Sequence, residues 1–173
     1  MKLYYVRHGL TDWNVEGKIQ GDTDIPLNDI GRSQAREAQK LLHDINFDFV
    51  IASPLSRAYE TASIINETHH KEIIVDERLR ERNFGDLEGN SIELSRVKTM
   101  WDPLVNYKPN NGESFLDVEK RINEFLDELK ANVSSKTILI VAHGGISIPF
   151  QNYFNRIKTN KIINNCEVLH YHI

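Results

Sequence analysis

Three short segments carry most of the chemistry in this sequence, and each follows a strand-like run. Arg7-His8-Gly9 follows Lys2–Val6, Ser53-Pro54 follows Phe49–Ala52 with Arg57 one turn further on, and His143-Gly144-Gly145 follows Thr137–Ala142. In open α/β sheets, ligands bind beyond the carboxyl ends of parallel strands, so segments far apart in sequence can converge on one pocket. Two arginines and two histidines in such a pocket suit a phosphoryl group. Arginine offers a planar fork of donors to phosphate oxygens, and helices starting after Ser53 and His143 would add backbone N–H groups and the positive end of a dipole. The glycines let backbone approach closely. A neutral imidazole can attack phosphorus and hold the group as phosphohistidine, which splits one difficult displacement into two easier ones. The leaving alkoxide then needs a proton, a task for a carboxylic acid with a raised pKa. The segment DERLRERNFGDLEG offers Glu77, Glu81, Asp86 and Glu88, and composition does not choose among them.

The elements that must position these groups are legible in the hydrophobic spacing. Apolar, β-branched runs of strand length occur at Lys2–Val6, Phe49–Ala52, Ile73–Val75, Thr137–Ala142 and Val168–His172. Between them, Ser114–Val133 places Phe115, Val118, Ile122, Phe125, Leu126, Leu129 and Val133 on one helical face, with Ser114 and Asp117 spaced as a capping box. Ala35, Ala38, Leu41, Leu42 and Ile45 form a similar stripe after Gly31. Leu55, Ala58, Ala62 and Ile65 form another, with Ser53 as its cap and Pro54 in its first turn. Alternating strands and helices predict an α/β fold around a mostly parallel sheet. A chain of 173 residues is expected to form one domain, residues 1–173. The stretch at about 85–112 is irregular and rich in turn residues (DPLVNYKPNNG), and it is expected to run over one face of the sheet.

Bulk properties narrow the function classes. With 21 Lys and Arg against 25 Asp and Glu, the net charge of -4 provides no global field for nucleic acid or an anionic membrane, so anion binding must be local. The single cysteine, Cys166, excludes an internal disulfide and a cysteine-based zinc site, and is expected to be a small core residue in a protein of the reducing cytosol. Met1-Lys2 leads straight into a strand, and no apolar run approaches ~20 residues, so a cytoplasmic location without membrane insertion is expected. His170 and His172 alternate along the last strand and share a face; without a third ligand they are expected to be a solvent-facing strand end, not a metal site. Trp13 and Trp101 are expected to be packing residues, and HHKE at His69 to Glu72 a polar helix end.

The motifs also resemble a known family. VRHGLTDWN is similar to the R-H-G-x-T-x-W-N signature of the histidine phosphatase superfamily, in the branch that includes cofactor-dependent phosphoglycerate mutases and small bacterial phosphatases. ASPLSRAYETA, LRERNFGDLEG, NNGESF and VAHGG resemble four further motifs of that branch, in family order from Val6 to Gly145. A strand-end ion pair would explain Arg7-His8 alone, whereas five ordered motifs favour the catalytic reading. The resemblance implies a three-layer α/β/α sandwich of the phosphoglycerate mutase-like type. It implies His8 as nucleophile, Arg7 and Arg57 as ligands of the phosphoryl oxygens, His143 as stabiliser of the transition state, and Glu81 as general acid and base. Asn14, Gln20, Gly21 and Gly144 match pocket-lining positions, and Arg82 is a candidate contact for a substrate carboxylate. No metal is implied, since arginine and histidine do the charge work.

Leu10 and Ile148 depart from residues common in the family, Glu or Gln and Arg respectively, and are expected near the non-phosphate end of the substrate. The expected activity is metal-independent hydrolysis of a small phosphomonoester, without a cofactor. The alternative is a mutase-type isomerase that would use 2,3-bisphosphoglycerate, and a third reading is a non-catalytic phosphate or phosphoprotein binder. Mutases of the family are longer and close over their substrate, whereas this chain stops at Ile173, which favours the hydrolase. The physiological alcohol and the oligomeric state are not encoded in these motifs.

Overall fold

A computed structural model describes residues 1–93, 99–133, 135–155 and 158–172. Five strands form one sheet: β1 (Lys2–Arg7), β2 (Phe49–Ala52), β3 (Ile73–Val75), β4 (Thr137–Ala142) and β5 (Val168–His172). Their order is β3-β2-β4-β1-β5, parallel except for β5, which runs antiparallel to β1 along the edge. β4 lies at the centre, and its unbroken apolar run is what a strand covered on both faces requires. The helices are a short α1 (Asp12–Val15), α2 (Asp29–Leu42), α3 (Ser56–Asn66), α4 (Phe115–Asn132) and α5 (Ser147–Phe154).

Side-chain alternation builds the layers. Leu3, Tyr5, Ile51, Ile138, Ile140 and Ala142 face Val118, Ile122, Phe125, Leu126 and Leu129 of α4 and Phe150 of α5. The intervening Val6, Val50, Ala52, Leu139 and Val141 face Ala38 and Leu42 of α2 and Ala62 and Ile65 of α3. Period-two alternation thus splits each strand between two cores, giving the expected three-layer α/β/α sandwich. The irregular segment after Phe84 folds back on itself and carries a small core of its own, in which Ile19, Phe84 and Met100 pack with Leu87, Trp101 and Tyr107. The part of that segment at 94–98 lies outside the described residues.

The helix starts show where local signals prevail and where tertiary partners override them. At α4 the capping box forms as expected: Ser114 Oγ accepts the Asp117 N–H at 3.1 Å, and the Asp117 carboxylate accepts the Ser114 N–H at 2.9 Å. At α3 the expectation fails. The helix begins at Ser56, beyond Ser53 and Pro54, because the Asp24 carboxylate from a distant loop accepts both the Ser56 N–H (2.8 Å) and its hydroxyl (2.7 Å). In the α2 stripe Ala35, Ala38 and Leu42 are buried but Leu41 is 76% exposed, and Ile45 packs from the loop beyond the helix.

Other expectations need adjusting. Cys166 is half-buried in the turn before β5, in the left-handed region at φ 56° and not inside a core strand, and its N–H donates to the Arg7 carbonyl at 3.0 Å. α3 ends before His69, whose ring packs edge-on against Phe47. His170 and His172 are exposed on the last strand, as expected, with His170 stacked on Tyr4.

α2 starts two residues before Gly31, with Asn28 Oδ1 accepting the Gly31 N–H at 2.9 Å. The backbone after β1 crosses this first turn in direct contact. A Cβ on Gly31 would overlap the Leu10 carbonyl oxygen and lie 2.7 Å from the Leu10 nitrogen, and one on Gly9 would lie 2.8 Å from the Gly31 carbonyl carbon. Two glycines therefore let the segment bearing His8 rest on a helix. In an open helix Gly31→Ala would gain up to about 1 kcal/mol. Here the overlap costs about 1–3 kcal/mol, so a net loss of stability is expected. A urea midpoint at or above that of the wild type would show that the crossing is looser than described.

Candidate active site

Because β4 lies between β1 and β2, with Arg7 opposite Ala142 and Ala52 opposite Val141, the residues that follow these strands emerge on one edge of the sheet. There the three chemistry-bearing segments meet. The rings of His8 and His143 lie 5.2 Å apart, centroid to centroid, inclined at 60°. A cleft of about 140 Å³ is lined by Arg7, His8, Asn14, Gln20, Gly21, Arg57, Glu81 and Gly144, with Ile19, Phe84, Ile92, Trp101 and Ile162 as apolar wall.

His8 is 2% exposed, and its Nδ1 lies 2.7 Å from the carbonyl of Gly9. A carbonyl can only accept, so the ring proton belongs on Nδ1 and the lone pair on Nε2. Burial pushes the His8 pKa well below 6.5, the positive charges of Arg57 and Arg7 push it further, and the bond to Gly9 opposes them only in part. His8 is therefore a neutral imidazole at pH 7.

His143 is fully buried, with Nε2 2.7 Å from Ser53 Oγ. Ser53 Oγ also accepts the Leu55 N–H at 3.3 Å, and its hydroxyl can either give or take a proton at that ring nitrogen, so the group that meets Nδ1 decides the His143 tautomer. Its pKa is also driven well below 6.5, first by burial and then by Arg57 and His8.

The two arginines are held by backbone carbonyls. Arg7 Nη1 donates to Ile163 O at 2.7 Å. Arg57, fully buried, donates from Nη1 to Thr23 O at 2.9 Å and from Nη2 to Gly21 O at 2.7 Å. Burial lowers the Arg57 pKa to about 10, against the opposing pull of Glu81, Asp24, Glu88 and Asp22, and the group remains a cation at pH 7. Among the described residues four buried side-chain nitrogens or oxygens have no hydrogen-bond partner. Three are Arg7 Nε, Arg57 Nε and His143 Nδ1, and the fourth is His69 Nε2 beside Phe47. A buried donor without an acceptor costs about 1–3 kcal/mol. Two such guanidinium donors, with His143 Nδ1 beside them, gathered at one edge suit an anion.

Of the four carboxylates in the DERLRERNFGDLEG segment, Glu81 lines the cleft. Its Oε1 accepts the Arg82 N–H at 2.8 Å, and its Oε2 accepts the Gly145 N–H at 2.7 Å, which ties it to the loop after His143. Glu77 pairs with Arg80. Asp86 bonds Asn111, and Glu88 accepts backbone N–H groups. Arg121 fixes the Glu81 segment from behind: it donates to the carbonyls of Arg78, Arg80 and Glu81 and forms a two-pronged ion pair with Glu113. Asn14 and Gln20 are joined through Thr11, whose hydroxyl lies 3.1 Å from Asn14 Oδ1 and 2.8 Å from Gln20 Oε1.

Three sequence expectations end elsewhere. Arg82 does not line the cleft. It is fully buried, donates to the carbonyls of Glu113, Met100 and Tyr107, and lies over the rings of Phe84 and Trp101, so it pins the irregular segment in place. Leu10 and Ile148 are also absent from the lining: Leu10 is clasped by Gln34 and Asn28, and Ile148 is buried within α5. Trp101 packs, as expected, on Phe84 and Phe115, and it is also cleft wall.

Other contributors carried no motif signal. Asn165 Nδ2 donates to His8 O at 3.0 Å, and Ile162 closes one wall, both from a loop that only the pairing of β5 with β1 brings near. Ser53 was legible as part of a strand-end motif and as a helix cap, not as the partner of His143. Among the described residues no group of three His, Cys, Asp or Glu is arranged to hold a metal ion, and no helix is long and apolar enough to cross a membrane.

Comparison with known proteins agrees with this geometry. The model of the histidine phosphatase superfamily (branch 1) matches residues 3–170. The uncharacterized phosphatase PhoE of Bacillus subtilis (strain 168) is 43% identical over 139 residues, which cover 80% of this chain and 69% of that protein. The probable phosphoglycerate mutase GpmB of Escherichia coli O1:K1 is 34% identical over 150 residues, covering 83% of this chain and 70% of that protein. Among solved structures, a mycobacterial glucosyl-3-phosphoglycerate phosphatase in complex with VO3 superposes with a TM-score of 0.85 at 28% identity, over 98% of this chain and 90% of its own. On the extent of the family match and the identity to these relatives, the chain belongs to the histidine phosphatase superfamily, branch 1.

Proposed function

We propose that this phosphatase-family chain is a phosphomonoester hydrolase working through a phosphohistidine on His8. The observation that carries the reading is the set of dry, unpartnered nitrogens on Arg7, Arg57 and His143 around a neutral imidazole. Arg7, Arg57 and His143 hold the three phosphoryl oxygens. The lone pair on His8 Nε2 attacks phosphorus, the P–O bond to the alcohol breaks, and Glu81 gives its carboxyl proton to the departing oxygen. The Glu81 carboxylate then takes a proton from water. The water oxygen bonds to phosphorus, the P–N bond breaks, and its electron pair returns to Nε2. The Gly9 carbonyl keeps the Nδ1 proton in place throughout and stabilises the ring while it bears the phosphoryl group. The fixed cations supply the electrostatic stabilisation, and the proposal requires no metal or cofactor.

Hydrolysis is preferred to isomerisation on two grounds. A cleft of about 140 Å³ encloses a phosphoryl group but falls short of the ~300 Å³ of sites that bury a whole small ligand, so the alcohol side stays open to water. Arg82, the residue that would have favoured a phosphoglycerate substrate, has its guanidinium committed to backbone carbonyls. Phosphatase names among the relatives support the same choice. The presence of both His8 and Glu81 argues against a binder without turnover. A single cysteine suits the reducing cytosol, where we place the reaction.

Rapid quench with a ³²P-labelled phosphomonoester in EDTA should trap an acid-labile, base-stable phosphoenzyme in the wild type and none in His8→Ala. Label retained in His8→Ala would remove the covalent mechanism. With 3-phosphoglycerate the product should be inorganic phosphate; 2-phosphoglycerate dependent on 2,3-bisphosphoglycerate would identify a mutase.

Glu81→Gln should slow alkyl phosphates about 10²–10⁴-fold, the usual worth of a positioned acid, and p-nitrophenyl phosphate much less, because nitrophenolate leaves without a proton. Equal losses on both substrates would assign the proton to another group.

Stability should also report the two buried histidines. Their folded pKa values lie below 6.5, so as pH falls through 6.5 the unfolded chain takes up protons first and stability is lost. Two such groups give a slope of up to ~2.7 kcal/mol per pH unit. Urea midpoints between pH 7 and 5.5 should show this decline, and His8→Ala should weaken it; a flat profile would mean that the buried rings take up protons in the folded state.

A further inference from the structure

Glu88 takes no part in the proposed chemistry, yet its carboxylate is more fully occupied than any group in the cleft. Oε1 accepts the N–H groups of Asp22 (2.9 Å) and Phe84 (3.0 Å). Oε2 accepts the Thr23 N–H (2.9 Å) and the Thr23 hydroxyl. Asp22 and Thr23 sit in the loop whose carbonyls at Gly21 and Thr23 receive both terminal nitrogens of Arg57. The loop is shaped for this contact: Gly21 adopts φ +56°, and a Cβ there would lie 2.7 Å from the carboxyl carbon of Glu88. Its flank is laced to the two residues after Glu88, with Ile19 N–H donating to Asn90 O and Gly89 N–H to Ile19 O. One negative group thus orders consecutive N–H groups on one side of the loop while the loop's carbonyls order a cation on the other. Through Phe84 it also grips the irregular segment that carries Glu81 three residues earlier.

We propose that Glu88 is a positioning residue for phosphoryl binding. Acting through the Gly21-Asp22-Thr23 backbone, it aims the Arg57 guanidinium so that its remaining nitrogen meets the phosphoryl oxygens. The role rests on the phosphate-site reading above. It predicts a coupling between Glu88 and Arg57 that a residue serving only stability lacks, since a positional effect disappears once the group being positioned is gone. Glu88→Gln is the appropriate perturbation, because an amide keeps one acceptor oxygen and loses the other, with two of the four bonds to the carboxylate.

The test is calorimetric binding of inorganic phosphate to the wild type, Glu88→Gln, Arg57→Ala and the double variant, with thermal midpoints recorded alongside. Glu88→Gln should weaken phosphate binding about tenfold in the wild-type background and less than about twofold when Arg57 is alanine, whatever its effect on the midpoint. Equal weakening in both backgrounds, or none in the first, would overturn the positioning role. Unchanged affinity in Arg57→Ala would overturn the phosphate site itself and with it the role of Glu88, so the two failures are distinguishable. Should Glu88→Gln not fold, Thr23→Val removes only the hydroxyl bond to Oε2. It should weaken phosphate binding about threefold, and no change in that variant would equally overturn the proposal.

Discussion

Arg7 and Arg57 keep their charges in a nearly water-free edge of the protein where, among the described residues, neither has a carboxylate within ion-pair distance. Solvating a guanidinium there falls to main-chain carbonyls from Gly21, Thr23 and Ile163, which neutralise part of the dipole cost and none of the net charge. The surplus positive potential is what depresses His8 and His143 beyond the effect of burial alone. A site left undersatisfied in this way is unfavourable to fold and favourable to fill. The same electrostatics that keep the His8 imidazole neutral attract an anion to it.

Holding those charges apart from carboxylates while keeping one carboxylate nearby requires a rigid frame. The sheet supplies three strand ends in register, and β4, buried along its length, sets their spacing. Loops without regular structure then need outside anchors. Arg121, paired with Glu113, clasps the carbonyls around Glu81, Arg82 clasps the covering segment, and Glu88 clasps the loop beneath Arg57. Each anchor joins a charged side chain to backbone groups, so it fixes main-chain direction where no ladder of hydrogen bonds does so. Four charged residues around Glu81, namely Arg121, Glu113, Arg82 and Glu88, are therefore anchors, which explains how a segment so rich in charge delivers a single carboxylate to the cleft.

The apolar wall of Ile19, Phe84, Ile92, Trp101 and Ile162 completes the division of labour. It keeps the local dielectric low in the cleft, and in the proposed reaction it makes the mouth, not the floor, the place where alcohols are distinguished. Leu10 and Ile148 do not reach that wall, so their departure from the family pattern has its consequence in packing: Leu10 against the first turn of α2, and Ile148 inside α5.

The strands, the capping box of α4 and the five ordered motifs were legible because each depends on residues near one another in the chain. Hydrophobic period, a cap four residues long and a strand-end dipeptide are local facts, and with them come the sheet's parallel character and the identities of Arg7, His8, Arg57 and His143. Everything that depended on a partner far away in the chain was not legible. Asp24 moved the start of α3, the Leu10 backbone passed across α2, and three carbonyls drew Arg82 away from the cleft. Nor could composition choose Glu81 over Glu88, since both are glutamates in one charged segment. Only the folded chain decides which carboxylate faces open space and which meets four donors, because a side chain's role is set by what surrounds it in three dimensions.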